Sequence, residues 1–346
     1  MILSAPTDGR DASAAIQQAL GGCGSGTNGF GEVLHVPPGR YRITRTIRVE
    51  SVSGIGIVGE GGRSVFQWDG PASGPMLLLS DVRQSLFRDF QIVSLPNRPL
   101  AEGVRIENGG GSSWSPSLNH FDGVSVDGTN TGGLGIGFRV SGQGEGGDAD
   151  NDFHSWHRCV VSRAVRAWVL EPTQSHGLTL DQCRAASVGE VAVDCIGASF
   201  HWRGGFIGGA QIAFRTREFV GVPSSIENVS LEGCGRLLQS GGPSGAPYGL
   251  TLRGVRFASD ALAADGKVID YRHPGPLLVE NCFLGDRPEK PLLVEWNPIA
   301  DSPEVVPTFR ITDTVFRSSR GGNLFKTRRP TTIGCSVRTP QGASAI

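Results

Sequence analysis

A seven-residue pattern recurs along most of this chain, and it limits the possible folds more than any other feature. It reads LFRDFQI (86–92), HFDGVSV (120–126), SWHRCVV (155–161), TLDQCRA (179–185) and HWRGGFI (201–207). It continues as SIENVSL (225–231), TLRGVRF (251–257), LVENCFL (278–284), RITDTVF (310–316) and, more weakly, TTIGCSV (331–337). Successive fifth positions lie 34, 35, 24, 22, 24, 26, 27, 32 and 21 residues apart. A base period in the low twenties, lengthened by insertions, is the mark of a solenoid.

The register has physical content. Position two is large and apolar in almost every copy, from Phe87, Phe121 and Trp156 to Val279 and Ile311, and position seven is apolar throughout most of the set. Position four is Gly, Asn or Asp in eight of ten copies. These residues accept a left-handed backbone at low cost. Each copy therefore reads as a strand, a sharp left-handed corner and a second strand. Between copies lies a further apolar strand, as in GVRIEN (103–108), AWVLEP (167–172), VAVDC (191–195) and KVIDYR (267–272). Three short strands per turn predict a right-handed parallel β-helix of about ten coils. A propeller needs about 40 to 50 residues per blade, and no leucine-rich consensus is present.

Composition fits this reading. The chain has 346 residues with 51 Gly and no Gly-X-Y period, which implies many tight turns. With 32 basic and 33 acidic residues the net charge is −1, giving no electrostatic case for nucleic acid or an anionic membrane. No apolar run is long enough to span a bilayer. The seven cysteines include no C-x-x-C pair, and Cys159, Cys183, Cys282 and Cys335 all take position five, facing the interior. Buried apolar packing is the expected role of such thiols. The N-terminus lacks the basic head and apolar stretch of a secretory signal. A virion-associated protein, or an extracellular one whose leader is absent from the chain, is the expectation.

The ends of a solenoid need covers. Residues 11–20, DASAAIQQAL, supply one: Asp11 is placed to cap a helix whose apolar stripe is Ala15, Ile16, Ala19 and Leu20. VLHVPPGRYRI (33–43) reads as a strand, a Pro-Pro-Gly turn and a second strand. We expect one domain over 1–346, with a cap region at 1–32, coils at 33–337 and a tail at 338–346. The tail shows no comparable cap, so a missing cap or another chain, as in a homotrimer, is expected there.

The segments DGRDASAAIQQAL, GEVLHVPPGRYRI and GIGIVGEG resemble the N-terminal signature of the pectate-lyase-like β-helix superfamily. The motif covers residues 8–62, and the repeat carries the resemblance to residue 337. The superfamily includes polygalacturonase-type hydrolases, polysaccharide lyases, epimerases and phage tailspike depolymerases. The resemblance implies a carbohydrate-facing β-helix, with a polysaccharide or oligosaccharide as partner, but not one particular reaction.

Two sets of residues offer chemistry. Stacking puts equivalent positions about 4.8 Å apart, so position three forms a ladder: Arg88, Asp122, His157, Asp181, Arg203, Glu227, Arg253, Glu280. A solvated ladder of alternating charge accounts for it. Asp122, His157 and Asp181 would also suit a general-base set. The second set follows the inter-repeat strands: Glu107, Glu171, Asp194, Arg215 with Arg217, Asp270 and Glu295. Glu171 to Asp194 is 23 residues and Asp194 to Arg215 is 21, each read as one coil. Carboxylates on adjacent coils can serve as acid and base in glycoside cleavage, and Arg215 and Arg217 can hold an acidic sugar. This resembles the polygalacturonase arrangement, although Asn-Thr-Asp, Asp-Asp and Gly-His-Gly are absent.

In the loops, Trp114 is a candidate sugar platform, and Asp270 is a further substrate-binding candidate. Asp148, Asp150 and Asp152 have the alternate spacing of a calcium loop but lack its Gly at position six and Glu at position twelve. The leading expectation is a glycoside hydrolase of acidic or complex polysaccharide that requires no cofactor. The alternatives are a tailspike or virion β-helix that binds glycan, and a calcium-dependent polysaccharide lyase.

Overall fold

A computed structural model describes the chain except for residues 5–8, 25–30, 109–115, 130–132, 142–150, 172–174, 218–222, 242–248, 274, 287–292, 297–308, 318–324, 328–333, 340–341 and 346. It is an all-β parallel solenoid with, among the described residues, one α-helix, Ser13–Gly24, at its N-terminal end. The class is the one expected. The count of about ten coils is slightly off, because eleven strands stack in one of its sheets, from Ile47–Glu50 to Phe325–Thr327. The extra turns lie before residue 86. Val33–His35 pairs with Gly56–Val58, and that strand pairs with Leu86–Arg88. These early coils lack the seven-residue pattern yet share its hydrogen-bond ladder.

Three faces run along the solenoid. The first holds the strands that begin each repeat, such as His120–Asp122, Ser155–His157 and Leu178–Asp181. The second holds those that end it, such as Ser125–Asp127, Val160–Ser162 and Arg184–Ala186. The third is the eleven-strand stack of inter-repeat strands, including Arg236–Ser240, which the apolar pattern alone did not reveal.

The corner between the first and second faces is the left-handed turn the repeat predicts. Asp89, Gly123, Gly204, Asn228, Gly254, Asn281 and Asp313 all have φ between 48° and 64°. So do Arg158 and Gln182, the two copies whose residue type does not advertise it. Asp89, Gln182 and Asn228 lay their polar ends over the glycine of the next coil. A Cβ on Gly123, Gly204 or Gly254 would come within 2.6 Å, 2.4 Å and 2.3 Å of those side chains. A long polar residue at one corner thus excludes a side chain from the corner above it.

Inside, position two forms an aromatic stack. Phe87 lies 4.9 Å from Phe121, and Phe121 lies 5.7 Å from Trp156, with nearly parallel rings. The position-five thiols are buried as expected: Cys159 donates to the Phe121 carbonyl and Cys183 to that of Trp156. Burial pushes the Cys159 thiol up, away from reactivity. The side chain of Cys335 lies outside the described residues. At the N-terminal end, Asp11 accepts from the Ser13 amide at 3.0 Å, and Ile16 and Leu20 are buried against the first coils. At the other end, Gly334–Thr339 pairs antiparallel with Gly342–Ala345. No helix among the described residues is long and apolar enough to cross a membrane.

Candidate functional site

Charge concentrates on the outward side of the third face. Hydrogen-bond register places Arg139 beside Val169, Val169 beside Asp194, and Asp194 beside Arg215. Gln239, Asp270 and Glu295 follow in the same row. The expected step from Asp194 to Arg215 is therefore a true coil. The step from Glu171 to Asp194 is not: they lie on neighbouring coils, but Asp194 pairs with Val169, and Glu171 sits two residues further along. Corners differ in length from coil to coil, so a 23-residue spacing did not mean an equivalent place.

Asp194 is fully buried and gathers three guanidinium groups. Arg215 approaches at 2.5 Å, Arg166 at 3.3 Å and Arg217 at 3.5 Å. Burial alone would raise this carboxyl. The hydrogen bonds from Arg215, with the charges of Arg215 and Arg217, overcome that and hold it below the usual carboxylate range. Asp194 is thus a fixed anion that orients arginines. Arg215 also reaches Glu190 at 3.2 Å, and Arg217 remains about half exposed.

Glu171 pairs with Arg139 at 3.1 Å, and Arg139 also meets Glu102. Asp270 is buried among Arg272, Lys267 and Arg236, and Lys267 bridges on to Glu295. Sequence reading missed Arg139, Arg166 and Glu190. The available signal was a charged residue within an otherwise apolar inter-repeat strand, as in GFRV and AVRAWVL.

The first-face set is assembled as its register implied. Asp122, His157 and Asp181 occupy one row on successive coils. His157 Nδ1 lies 2.9 Å from Asp122, and Nε2 lies 3.7 Å from Asp181. Arg158 also donates to Asp122. Partial burial opposes the charge on Asp122, but hydrogen bonds from Arg158 and His157 lower its pKa. His157 and Asp181 are open to solvent here.

The loop candidates are only partly visible. Trp114, Asp148 and Asp150 lie outside the described residues. Asp152 accepts a hydrogen bond from the His176 amide at 2.7 Å, tying adjacent corners together. Among the described residues no group of three or more metal-ligating side chains converges.

No family model matches the chain, and no curated protein matches it. Solved structures do. An endo-xylogalacturonan hydrolase from Aspergillus tubingensis aligns over all of both chains, with TM-score 0.61 and 14% identity. A tailspike of an Acinetobacter phage aligns with 99% of this chain and 62% of its own, with TM-score 0.64 and 11% identity. DFA-IIIase from Arthrobacter chlorophenolicus aligns over 92% of this chain and 85% of its own, with TM-score 0.62 and 10% identity. At such identity the likeness shows the fold alone, a parallel β-helix.

Proposed function

We propose that this β-helix binds an acidic or complex polysaccharide along its third face and cleaves its glycosidic bonds there. The observation that carries the reading is the arginine set fixed by Asp194. Arg215 and Arg217 are oriented before any ligand arrives, and Arg217 keeps a free side toward solvent. Guanidinium groups so held suit a sugar carboxylate. The hydrolase neighbour, named for xylogalacturonan, supports the same substrate class.

In this reading Asp194 positions and does not transfer protons, because it is enclosed and held ionised. Proton transfer falls to Glu171, partly exposed on the neighbouring coil and two residues along from the level of Asp194. As general acid its carboxyl would protonate the leaving oxygen while water attacks the sugar. A panel of polysaccharides scored by mass spectrometry of the products tests the reading. On the polymer that is cut, Glu171→Gln should lower kcat by about 100-fold or more. Full turnover in that variant would sink the assignment, and an unsaturated product would indicate a lyase.

One observation favours a second reading, glycan binding without cleavage in the manner of a virion β-helix. Every described acidic side chain along the third face, from Glu50 and Glu102 to Asp270 and Glu295, is already ion-paired. Absence of product across the panel, with binding retained and a trimer in light scattering, would select it.

A further inference from the structure

The second face carries an outward row that the third-face reading does not use. Hydrogen-bond register puts Arg184 beside Phe206, Phe206 beside Ser230, Ser230 beside Arg256, and Arg256 beside Phe283. An arginine followed one coil later by a phenylalanine therefore occurs twice, three strand spacings apart, about 14 Å.

Both rings fold back over a glycine two residues ahead. A Cβ on Gly208 would lie 2.6 Å from a ring carbon of Phe206, and one on Gly285 would lie 2.7 Å from a ring carbon of Phe283. Phe283 is 36% exposed although apolar side chains fill the interior directly behind it. The Arg184 guanidinium sits 5.4 Å from the centre of the Phe206 ring. Beside this row, a groove of about 410 Å³ runs along the corner, lined by Gly209, Gly233, Gly235, Ala261 and Ala263 among others.

On the first and third faces, arginines such as Arg215, Arg236 and Arg253 are ion-paired. Arg184 and Arg256 are exposed and make no ion pair among the described residues. A ring beside a cation is thus repeated along one straight row, with Phe283 exposed and Phe206 half-buried. A ring face offers a stacking surface, and a free guanidinium offers paired donors to a carboxylate or sulfate. Two isolated cations on a chain of net charge −1 do not make the broad basic patch of a nucleic-acid protein.

We propose that the second face is a separate, non-catalytic binding strip for an acidic glycan. Phe206 and Phe283 stack on sugar rings, and Arg184 and Arg256 hold the acidic groups. The proposal rests on the glycan reading for the class of ligand but not on cleavage at the third face.

The test is calorimetric titration of the full chain with an oligogalacturonate, against a cello-oligosaccharide of the same length. The acidic oligomer should bind more tightly than the neutral one and weaken as salt rises. R184Q/R256Q should lose at least 10-fold in affinity. F206A/F283A should lose a similar factor. G208A/G285A, which keeps both rings but pushes them off the strand, should also weaken binding. R217Q, which removes the half-exposed third-face guanidinium, should leave the strip's binding in place, which separates this strip from the third-face site. Wild-type affinity in all three double variants would overturn the proposal. So would equal binding of the neutral oligomer, equal competition by single-stranded DNA, or no binding by the wild type.

Discussion

The first and third faces carry charge in the same outward positions of the same solenoid, yet they treat it in opposite ways. On the first face the ladder is solvated: Arg253 meets Glu280 at 2.9 Å, and the arginine is half exposed. On the third face the carboxylates sit beneath their partners, and Asp194 and Asp270 have lost almost all contact with water. A register of alternating sign is enough for a solvated ladder. A buried one needs several cations converging on each anion, since desolvation otherwise exceeds the attraction. That convergence is why the third face is the better candidate for a preorganised site.

The sharpest way to break this contrast is Asp194→Ala. It leaves Arg166 and Arg215 facing each other without their common anion, and should cost about 3–5 kcal/mol in urea unfolding. A loss no larger than that of a first-face variant would remove the distinction.

Acid titration probes the interior behind the first face. His154 is fully buried, and burial depresses its pKa from 6.5 to about 3. As pH falls below 6.5 the unfolded chain takes up a proton that the folded chain refuses, so stability declines until about pH 3. His154→Gln should make the slope of unfolding free energy over that window shallower by about one proton. Asp194 acts in the same direction only at lower pH. Its stabilisation is present above the ordinary carboxylate value and is lost as pH falls through its depressed one.

A smaller effect is expected at the corners. Gly204→Ala introduces a Cβ into a left-handed residue beneath the Gln182 amide, and should cost about 1–2 kcal/mol. Gln182→Gly should gain up to about 1 kcal/mol by relieving the same backbone. Thermal denaturation of the pair reads both signs. The smallest effect belongs to His157→Asn, below about 1 kcal/mol and diminishing with added salt. A larger, salt-insensitive loss would mean that the first face is more than a ladder.

What could be read in advance follows from which parts of the coil are constant. Phe121, Trp156 and Cys183 were placed inside, and Asp122, His157 and Asp181 in one row, because the seven-residue pattern spans two strands and a corner of fixed length. The third face was harder to read because variable corners separate it from that pattern on both sides. Counting 23 residues therefore aligned Glu171 with Asp194, when hydrogen bonding pairs Asp194 with Val169. The left-handed state of Arg158 and Gln182 left no trace in residue type, since neighbouring coils impose it. Nor could residue order reveal how many arginines meet at Asp194, because Arg166 and Arg217 approach it from different coils.

The corner of constant length has a consequence for how such a protein can change. From Arg88 to Gln91 through Glu280 to Phe283, two residues always separate the first face from the second. One added residue there would turn the next strand inside out. Between the third face and the first, the connection runs from the few residues between Cys195 and Phe200 to the long one between Val140 and Ser155. The solenoid thus has a rigid spine opposite a permissive margin. New loops can be accepted beside the charged third face, while the spine keeps every coil in register.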